Sequence, residues 1–293
     1  MSFDTVLVKA PAKINLSLDI VSKRFDGYHN VAMVLQSVSL YDEVEVSLID
    51  GNDDIVIKCS DNTIPLDSKN IVYKAAKAFY NYTKENVKPI EIKIIKNIPS
   101  QAGLAGGSSD GAAVILALNK IYNTHLSLEQ MCEIGATVGA DVPFCLIGGT
   151  ALATEIGTKL KKITNMPRCH ILICKPQISV STKEAYSLCD KRPPKGFLYT
   201  DEVVKMIYRH DLRGMCSCLY NEFEEVQKLD EITEIKRIML KNKALGASMS
   251  GSGSAVYGIF DSEKTALRCM DKMCDEYSNL YICAPIKDGC KIE

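Results

Sequence analysis

The chain lacks tryptophan, and it lacks an excess of charge of either sign. Its 293 residues contain no Trp, and 35 basic residues balance 36 acidic residues to give a net charge of −1. Such a balance provides no overall attraction to nucleic acid or to an anionic membrane surface. We therefore expect neither of them as a partner.

Long apolar runs are also absent. No run approaches the ~18 residues that a membrane-spanning helix needs, and the N-terminal segment lacks the basic-then-apolar order of a signal peptide. The apolar share is 46 %, which is ordinary for a globular chain with a substantial core. These features predict a cytoplasmic protein with one large domain or two ordinary ones.

Cysteine is plentiful, yet the spacings of metal sites and disulfide scaffolds are missing. The 12 cysteines are scattered. None forms Cys-x-x-Cys, and the closest pair, Cys216 and Cys218, has no neighbouring His. A zinc site requires such spacings, and a chain of this length is too long for a stapled scaffold. We predict no metal site built from these side chains, and a reducing compartment.

A glycine- and serine-rich segment, PSQAGLAGGSSD at 99–110, lies between a strand-like run at 90–98 and a helical pattern at 111–122. A strand, a glycine loop and a helix in this order bring backbone N–H groups and a helix dipole to one point, which suits phosphate. The glycines let the backbone approach the phosphate oxygens, and the serines can cap the helix. The Lys of a P-loop and the Gly-x-Gly-x-x-Gly of a dinucleotide site are both absent. A flexible helix entry without a ligand is the alternative.

The order of predicted elements favours the α+β class. Strand-like alternation dominates the first fifty residues, and an amphipathic helix is predicted over 70–84. Ser127 and Gln130 form a capping box for a further helix. The pattern changes near residue 160, where helices begin to alternate with strands. We therefore predict two domains, 1–160 with the glycine-rich loop and 161–293.

Three polar residues stand out from apolar surroundings. Lys13 and Asn15 lie two apart in a predicted strand and so share a face; a solvent-exposed pair is the simple alternative. Asp141 lies in Gly-Ala-Asp-Val-Pro at 139–143 among apolar neighbours. A buried carboxylate needs a partner, for which Lys13 is a candidate. An N-cap is the alternative role for Asp141.

Two further segments allow more than one interpretation. The segment 248–254, Ser-Met-Ser-Gly-Ser-Gly-Ser, can form a hairpin between strands, or it can approach a phosphate from a second side. Tyr28 and His29 follow an Asp-Gly turn and offer an aromatic face and a hydrogen-bonding ring. An ordinary surface loop is the alternative there.

Together these segments resemble the GHMP kinase superfamily, named for its galacto-, homoserine, mevalonate and phosphomevalonate kinases. The similarity is carried by Pro-Ala-Lys-Ile-Asn-Leu at 11–16, Asp-Gly-Tyr-His at 26–29, the glycine loop at 99–109, Gly-Ala-Asp-Val-Pro at 139–143 and Met-Ser-Gly-Ser-Gly at 249–253, with Asn-Glu-Phe-Glu at 221–224 as a weaker motif. These motifs occur in the family's order over nearly the whole chain. Lys13-x-Asn15 combined with Asp-Gly-Tyr-His resembles the branch that acts on a cytidyl substrate.

The resemblance implies a fold and a reaction. The fold is a ribosomal-protein-S5-like N-terminal domain and a ferredoxin-like C-terminal domain, with the active site between them. The reaction is transfer of the ATP γ-phosphoryl group to the 2-hydroxyl of a cytidyl-diphospho-methylerythritol, a step of non-mevalonate isoprenoid synthesis. ATP is the expected cofactor together with Mg²⁺, for which the sequence identifies no protein ligand.

The resemblance also implies roles for individual residues. Lys13 and Asp141 are expected to be catalytic, Asn15, Tyr28, His29 and Tyr186 to bind the cytidyl substrate, and Gly251, Ser252 and Gly253 to close the site. The residues expected to hold the ATP phosphates are Pro99, Ser100, Gln101, Ala102, Gly103, Leu104, Ala105, Gly106, Gly107, Ser108 and Ser109.

The chain departs from the family pattern at a few positions. Ala105 stands where the family often has Gly, Glu222 where Asp is usual, and Tyr186 where Phe is frequent. Three other functions stay open. They are another kinase of the superfamily, such as a homoserine or mevalonate kinase, a catalytically silent nucleotide-binding regulator, and an RNA-binding protein. The balanced charge disfavours the last.

Overall fold

The protein is described here by a computed structural model that covers residues 4–51, 54–192 and 196–293. The strands are β1 (Thr5–Lys23), β2 (His29–Leu48), β3 (Ile55–Cys59), β4 (Ile90–Ile95), β5 (Thr150–Thr154), β6 (Lys159–Lys162), β7 (His170–Cys174), β8 (Tyr220–Asn221), β9 (Gly246–Met249), β10 (Val256–Phe260), β11 (Leu280–Cys283) and β12 (Lys291–Ile292). The helices are α1 (Ile71–Thr83), α2 (Gly106–Ile121), α3 (Leu128–Val138), α4 (Val142–Ile147), α5 (Thr182–Cys189), α6 (Tyr199–Tyr208), α7 (Leu212–Ser217), α8 (Glu222–Gln227), α9 (Asp230–Lys241) and α10 (Glu263–Met273).

The larger sheet is built on two long strands. Its order is β12-β1-β2-β4-β3, with β5 and β6 extending from β2 and with β8 paired to β1. Pro11, which cannot donate to a ladder, lies within β1. The structure keeps β1 continuous by placing a register shift between Pro11 and Ala12. The residues after the shift, 12–19, are buried, and Lys13 and Asn15 of the candidate site are among them.

One βαβ unit completes this layer. β3 and β4 pair in parallel, and α1 connects them. α1 begins after Asn70, whose side chain accepts the N–H of Val72, and α3 has the predicted capping box of Ser127 and Gln130. The apolar faces of α1, α2 and α3 form one core with the sheet. This arrangement agrees with the expected S5-like N-terminal fold.

The smaller sheet has the order β11-β7-β10-β9, and its neighbouring strands are all antiparallel. Along the chain these are the fourth, first, third and second strands of the sheet. α10 connects β10 to β11, and several helices connect β7 to β9. This is the βαββαβ order of a ferredoxin-like domain, so the predicted α+β class and C-terminal fold are confirmed.

The two halves of the chain share structure. β6 spans the predicted boundary at residue 160, and β8 and β12, from the second half, pair with β1 of the first. A common apolar cluster contains Leu16 and Ile98 from the first half and Ile171 and Tyr257 from the second. The division at residue 160 stays a prediction. Among the residues described, no helix has the length and apolarity to cross a membrane.

Candidate active site

The first glycine loop, at 99–110, leads into the N-terminus of α2 at the site. α2 begins at Gly106, five residues earlier than the pattern predicts, and Ala105 is its N-cap with φ 58°. The prediction that the serines cap this helix is therefore wrong, since Ser109 is buried within it and donates its hydroxyl to the carbonyl of Pro11 at 2.8 Å. Ala105 has no side-chain oxygen for the N–H groups of the first turn. Those groups remain available at the positive end of the dipole.

The second glycine-serine segment is both a hairpin and a neighbour of the first loop. β9 and β10 pair with Met249 opposite Val256, so 250–255 is the turn between them. The hydroxyl of Ser250 donates to the carbonyl of Gly103 at 2.9 Å. A Cβ at Gly103 would lie 2.0 Å from the carbonyl oxygen of Ser250. The two loops are therefore in direct backbone contact, and only glycine fits at residue 103.

Lys13 lies beside this contact. Lys13 and Asn15 are only 5 % and 1 % exposed, which excludes the solvent-exposed alternative. Lys13 Nζ donates to Asn15 Oδ1 at 2.6 Å, and the Lys13 N–H donates to the carbonyl of Leu104 at 3.0 Å. A Cβ at Gly251 would be 3.3 Å from Lys13 Nζ. The ammonium group is thus within reach of both loops.

Asp141 enters the same region from the start of α4. It occupies the N-cap position, yet its side chain makes no capping hydrogen bond. Lys13, the candidate partner of this carboxylate, forms no salt bridge with it among the described residues and bonds to Asn15 instead. Burial raises the pKa of the nearby Cys145 thiol well above its usual value, Asp141 adds to this shift and Lys13 opposes it. Both charges therefore act on the same thiol.

A second group of residues forms the aromatic end of the site. The rings of His29 and Tyr186 stack with centroids 4.6 Å apart. Burial raises the pKa of Tyr186, and the charge of Asp141 raises it further. Tyr28 is 63 % exposed, and no ring contact joins it to Tyr186 in the described part of the chain. The structure therefore brings together two of the three predicted aromatic groups.

Asp190 belongs to this aromatic end, although the sequence did not indicate it. Its Oδ1 lies 2.7 Å from His29 Nε2, and its Oδ2 accepts from Lys23 Nζ at 2.5 Å. The hydrogen bond from Lys23 and then that from His29 lower the pKa of Asp190. Asp190 follows a capped helix and has no motif around it. Its contact with residue 29 spans 161 positions, which no local pattern reports.

A buried charge cluster supports the first loop from behind. Lys96 Nζ pairs with Asp42 and, at 2.7 Å, with Asp110. Asp42 Oδ1 also accepts the N–H groups of Asn97 and Ile98 at 2.6 and 2.8 Å. The cluster therefore holds the loop at its entry, through Lys96 and its neighbours, and at its exit, through Asp110.

Asp110 itself has an unusual environment. Its Oδ1 is buried and has no hydrogen-bond partner. Burial raises its pKa to about 8, the charge of Asp42 contributes and that of Lys96 opposes. This cluster was not predicted from the sequence. The signal available in the sequence was Asp110, a carboxylate on the apolar helix that follows the glycines.

The carboxylate, imidazole and thiol side chains decide which metal ions the site can hold. Among the described residues no group of three or more His, Cys, Asp or Glu side chains is arranged to hold a metal ion. Mg²⁺ at a nucleotide site takes one or two carboxylates and fills its shell with phosphates and water. Asp141 offers a carboxylate that neither caps α4 nor pairs with Lys13. That donor set fits a metal that is bound mainly through ATP.

Comparison with known proteins decides the family. The family model "GHMP kinases N terminal domain" matches residues 70–149, and "GHMP kinases C terminal" matches residues 204–279. The chain belongs to the GHMP kinase family. The first matched segment carries the first glycine loop and Asp141, and the second carries the loop that contacts it. Both segments of this GHMP kinase therefore contribute to one site.

Individual relatives of this GHMP kinase cover it almost completely. It is 43 % identical to the 4-diphosphocytidyl-2-C-methyl-D-erythritol kinase of Clostridioides difficile (strain 630), over 99 % of this chain and 98 % of the relative. The enzyme of the same name from Clostridium novyi (strain NT) is 42 % identical over 94 % and 98 %. A solved 4-(cytidine 5'-diphospho)-2C-methyl-D-erythritol kinase superposes with a TM-score of 0.79 at 28 % identity, covering 95 % of this chain and 98 % of that one. A homoserine kinase from Cytophaga hutchinsonii, at 21 % identity and a TM-score of 0.78, shares the fold.

Proposed function

We infer that this GHMP kinase transfers the γ-phosphoryl group of ATP to the 2-hydroxyl of 4-diphosphocytidyl-2-C-methyl-D-erythritol. This reaction is a step in non-mevalonate isoprenoid precursor synthesis. The observation that carries the inference is the 43 % identity, over 99 % of the chain, with a kinase named for that substrate.

The first loop and Lys13 would hold the triphosphate. The N–H groups at Gly106 and Gly107 point along the dipole of α2 and attract phosphate oxygens. Lys13 is 5 % exposed and uses one ammonium hydrogen on Asn15, so its other hydrogens remain for the transferred group. In a site with little water, a fixed cation stabilises developing charge strongly and needs no reorganisation. Mg²⁺, when bound with ATP, would supply further positive charge there, with Asp141 as its candidate protein ligand.

Asp141 would orient the acceptor hydroxyl. Carboxylic acids are far stronger acids than alcohols, so a carboxylate cannot remove a proton from a ground-state alcohol efficiently. In phosphoryl transfer, however, the transition state is loose and the proton can leave late. Asp141 can therefore accept a hydrogen bond from the hydroxyl and receive its proton as the new P–O bond forms. Positioning and charge stabilisation supply most of the rate in such a reaction.

His29 and Asp190 would select the base. The lowered pKa of Asp190 keeps it ionised, so its oxygens only accept, and His29 Nε2 must be the donor across their 2.7 Å contact. In the neutral ring Nδ1 is then an acceptor. Cytosine presents an N4 amino donor, which complements this acceptor, whereas uracil presents an oxygen at that position. His29 covers one face of Tyr186, so the exposed Tyr28 would provide the main stacking surface.

The expected setting remains the cytoplasm. All 12 cysteines are free, as in proteins of reducing compartments. ATP and the cytidyl alcohol are the expected small-molecule partners.

A substrate comparison tests the proposal. Purified protein is assayed for ADP release with ATP and, separately, the cytidyl alcohol, its uridyl analogue, mevalonate and homoserine. We expect rapid turnover with the cytidyl alcohol and slow turnover with the uridyl analogue. Preference for mevalonate or homoserine would assign another activity of the family, and no turnover with any acceptor would support a silent nucleotide-binding regulator.

A further inference from the structure

Asn221 is a buried side chain with every hydrogen-bonding position in use. It is 3 % exposed and is the N-cap of α8. Its Oδ1 accepts the N–H groups of Phe223 and Glu224. Its Nδ2 donates to the carbonyl of Met249 at 2.7 Å and to that of Gly251 at 2.8 Å. One carboxamide therefore caps the start of α8 and holds the turn between β9 and β10 at two points, Met249 and Gly251.

Asn221 lies on a short strand of the same sheet that carries Lys13. β8 pairs in parallel with β1, so that Asn221 lies opposite Leu18. Lys13 and Asn15 lie a few residues earlier on the same strand. Asn221 thus links the strand of the proposed catalytic lysine to the loop that approaches that lysine from the other side.

Glu224 holds the same loop from behind. Its Oε2 accepts the N–H of Met249 at 3.0 Å, while its Oε1 pairs with Lys236 of α9. Both polar groups of the Met249 backbone are therefore bound by side chains of one short segment: the N–H by Glu224 and the carbonyl by Asn221. The start of the loop cannot shift without breaking these bonds.

The held loop lies against the phosphate-binding machinery. Ser250 donates to the Gly103 carbonyl at 2.9 Å, and a Cβ at Gly251 would come within 3.3 Å of Lys13 Nζ. We propose that Asn221 is a positioning residue for phosphoryl transfer, because its carboxamide fixes the loop at 250–253 against the first glycine loop and Lys13. This inference rests on the proposed kinase function, and it adds a residue that acts through the loop at 250–253.

A positioning role and a purely structural role predict different results. If Asn221 only caps the start of α8, its loss lowers stability and leaves the turnover of folded protein unchanged. If it positions the loop, the loss lowers kcat, because small misplacements of groups around a reacting phosphoryl are costly. The KM of the cytidyl alcohol should change little in variants that keep an oxygen to cap α8, because that oxygen holds Phe223, whose ring packs against Tyr186 of the aromatic end with centroids 4.8 Å apart.

Two variants separate these roles. Asn221→Asp keeps both acceptor positions of the cap and removes both donors to the loop. Asn221→Ser keeps a capping oxygen but is too short to reach the loop. For both we expect kcat to fall ~10–100-fold, KM for the cytidyl alcohol to stay within about threefold, and amide hydrogen exchange to accelerate in the peptide that covers 249–254. The Asn221→Ser variant keeps the test valid if Asn221→Asp does not fold.

The matched control is Ser262→Ala. Ser262 caps α10 by accepting the N–H of Thr265, so its loss should lower the melting temperature without changing kcat. Wild-type kcat in both Asn221 variants, or unchanged exchange at 249–254, would overturn the proposal. If the wild-type protein shows no turnover with the cytidyl alcohol, the proposed function fails, and the exchange measurement still decides whether Asn221 holds the loop.

Discussion

The two ends of the candidate site are built differently. At the phosphate end, Lys13 and Asn15 are 5 % and 1 % exposed, and the two glycine loops touch each other through backbone atoms. At the nucleoside end, Tyr28 is 63 % exposed. A transferred phosphoryl group needs charges that are fixed in advance and shielded from water, whereas a base can be held by stacking on an exposed ring. Damage to the phosphate end should therefore affect stability and turnover, and damage to the nucleoside end should affect KM.

The largest effect is expected from Lys96→Met, behind the phosphate end. The substitution leaves the buried carboxylate of Asp42 without its cation, which typically costs about 3–5 kcal/mol of unfolding free energy, and it also removes the hydrogen-bond partner of Asp110. Denaturant unfolding at neutral pH measures this. The control is Lys77→Met, because Lys77 pairs with Asp54 at the surface, at 3.0 Å, where a pair is worth roughly 0–1 kcal/mol. Equal small losses for both variants would mean that the charge cluster does not support the loop.

Gly103→Ala should cause the next largest loss of unfolding free energy. Gly103 has φ +76°, and an added Cβ would meet the Ser250 carbonyl oxygen at 2.0 Å, so the left-handed cost and the clash together should reach about 2–4 kcal/mol. Turnover should fall as well, because the loops must separate. Gly27→Ala measures the cost of the left-handed backbone alone, since Gly27 has φ +86° and an added Cβ there would meet nothing within 4 Å. A loss no larger at residue 103 than at residue 27 would argue against close loop contact.

The pH dependence of stability gives a third test at the phosphate end. The pKa of Asp110 is raised to about 8 in the folded protein from ~3.9 in the unfolded chain. Between these values the folded state binds more protons, so Asp110 should make the protein less stable as pH rises from about 4 to about 8. Asp110→Asn should flatten this decline in unfolding free energy.

A surface carboxylate serves as the control for that slope. Arg237 lowers the pKa of Glu234, so Glu234 contributes stability above its unfolded pKa and loses it only as pH falls into the acid range. Glu234→Gln should therefore leave the slope from about pH 5 to pH 9 unchanged. An Asp110→Asn protein with the wild-type slope would show that another group titrates there.

The smallest effect on the fold should come from Tyr28→Ala, at the nucleoside end. Loss of a stacked ring costs about 1–3 kcal/mol of binding, so KM for the cytidyl alcohol should rise from about fivefold to about 150-fold. KM for ATP and the stability of this exposed position should stay nearly unchanged. Steady-state kinetics with each substrate varied in turn provide the comparison. Equal increases in both KM values would contradict a base platform at Tyr28.

Parts of this site that depend on local chemistry could be predicted from the sequence. The glycine loops were predictable because only glycine permits close backbone approach, and Lys13 with Asn15 because a strand repeats every two residues. The long-range contacts were not. Asp190 meets His29 across 161 positions and Lys96 meets Asp42 across 54, and neither pair has a local signature.

One error has a physical origin in the glycine loop. Serine is a favoured N-cap, so the serines were expected to cap α2, but the glycines allow the helix to begin at Gly106 after a left-handed Ala105. Ser109 then lies within α2 and donates its hydroxyl to the carbonyl of Pro11. Lys13 donates to the amide oxygen of Asn15 on the same strand face and forms no salt bridge with Asp141 in the described structure.

The most direct test of the central claim is the turnover of Asp141→Asn at saturating ATP and cytidyl alcohol. If Asp141 orients the hydroxyl at the meeting point of the two loops, kcat should fall at least ~100-fold while KM for ATP stays within about twofold. A variant that turns over at nearly the wild-type rate would contradict the account.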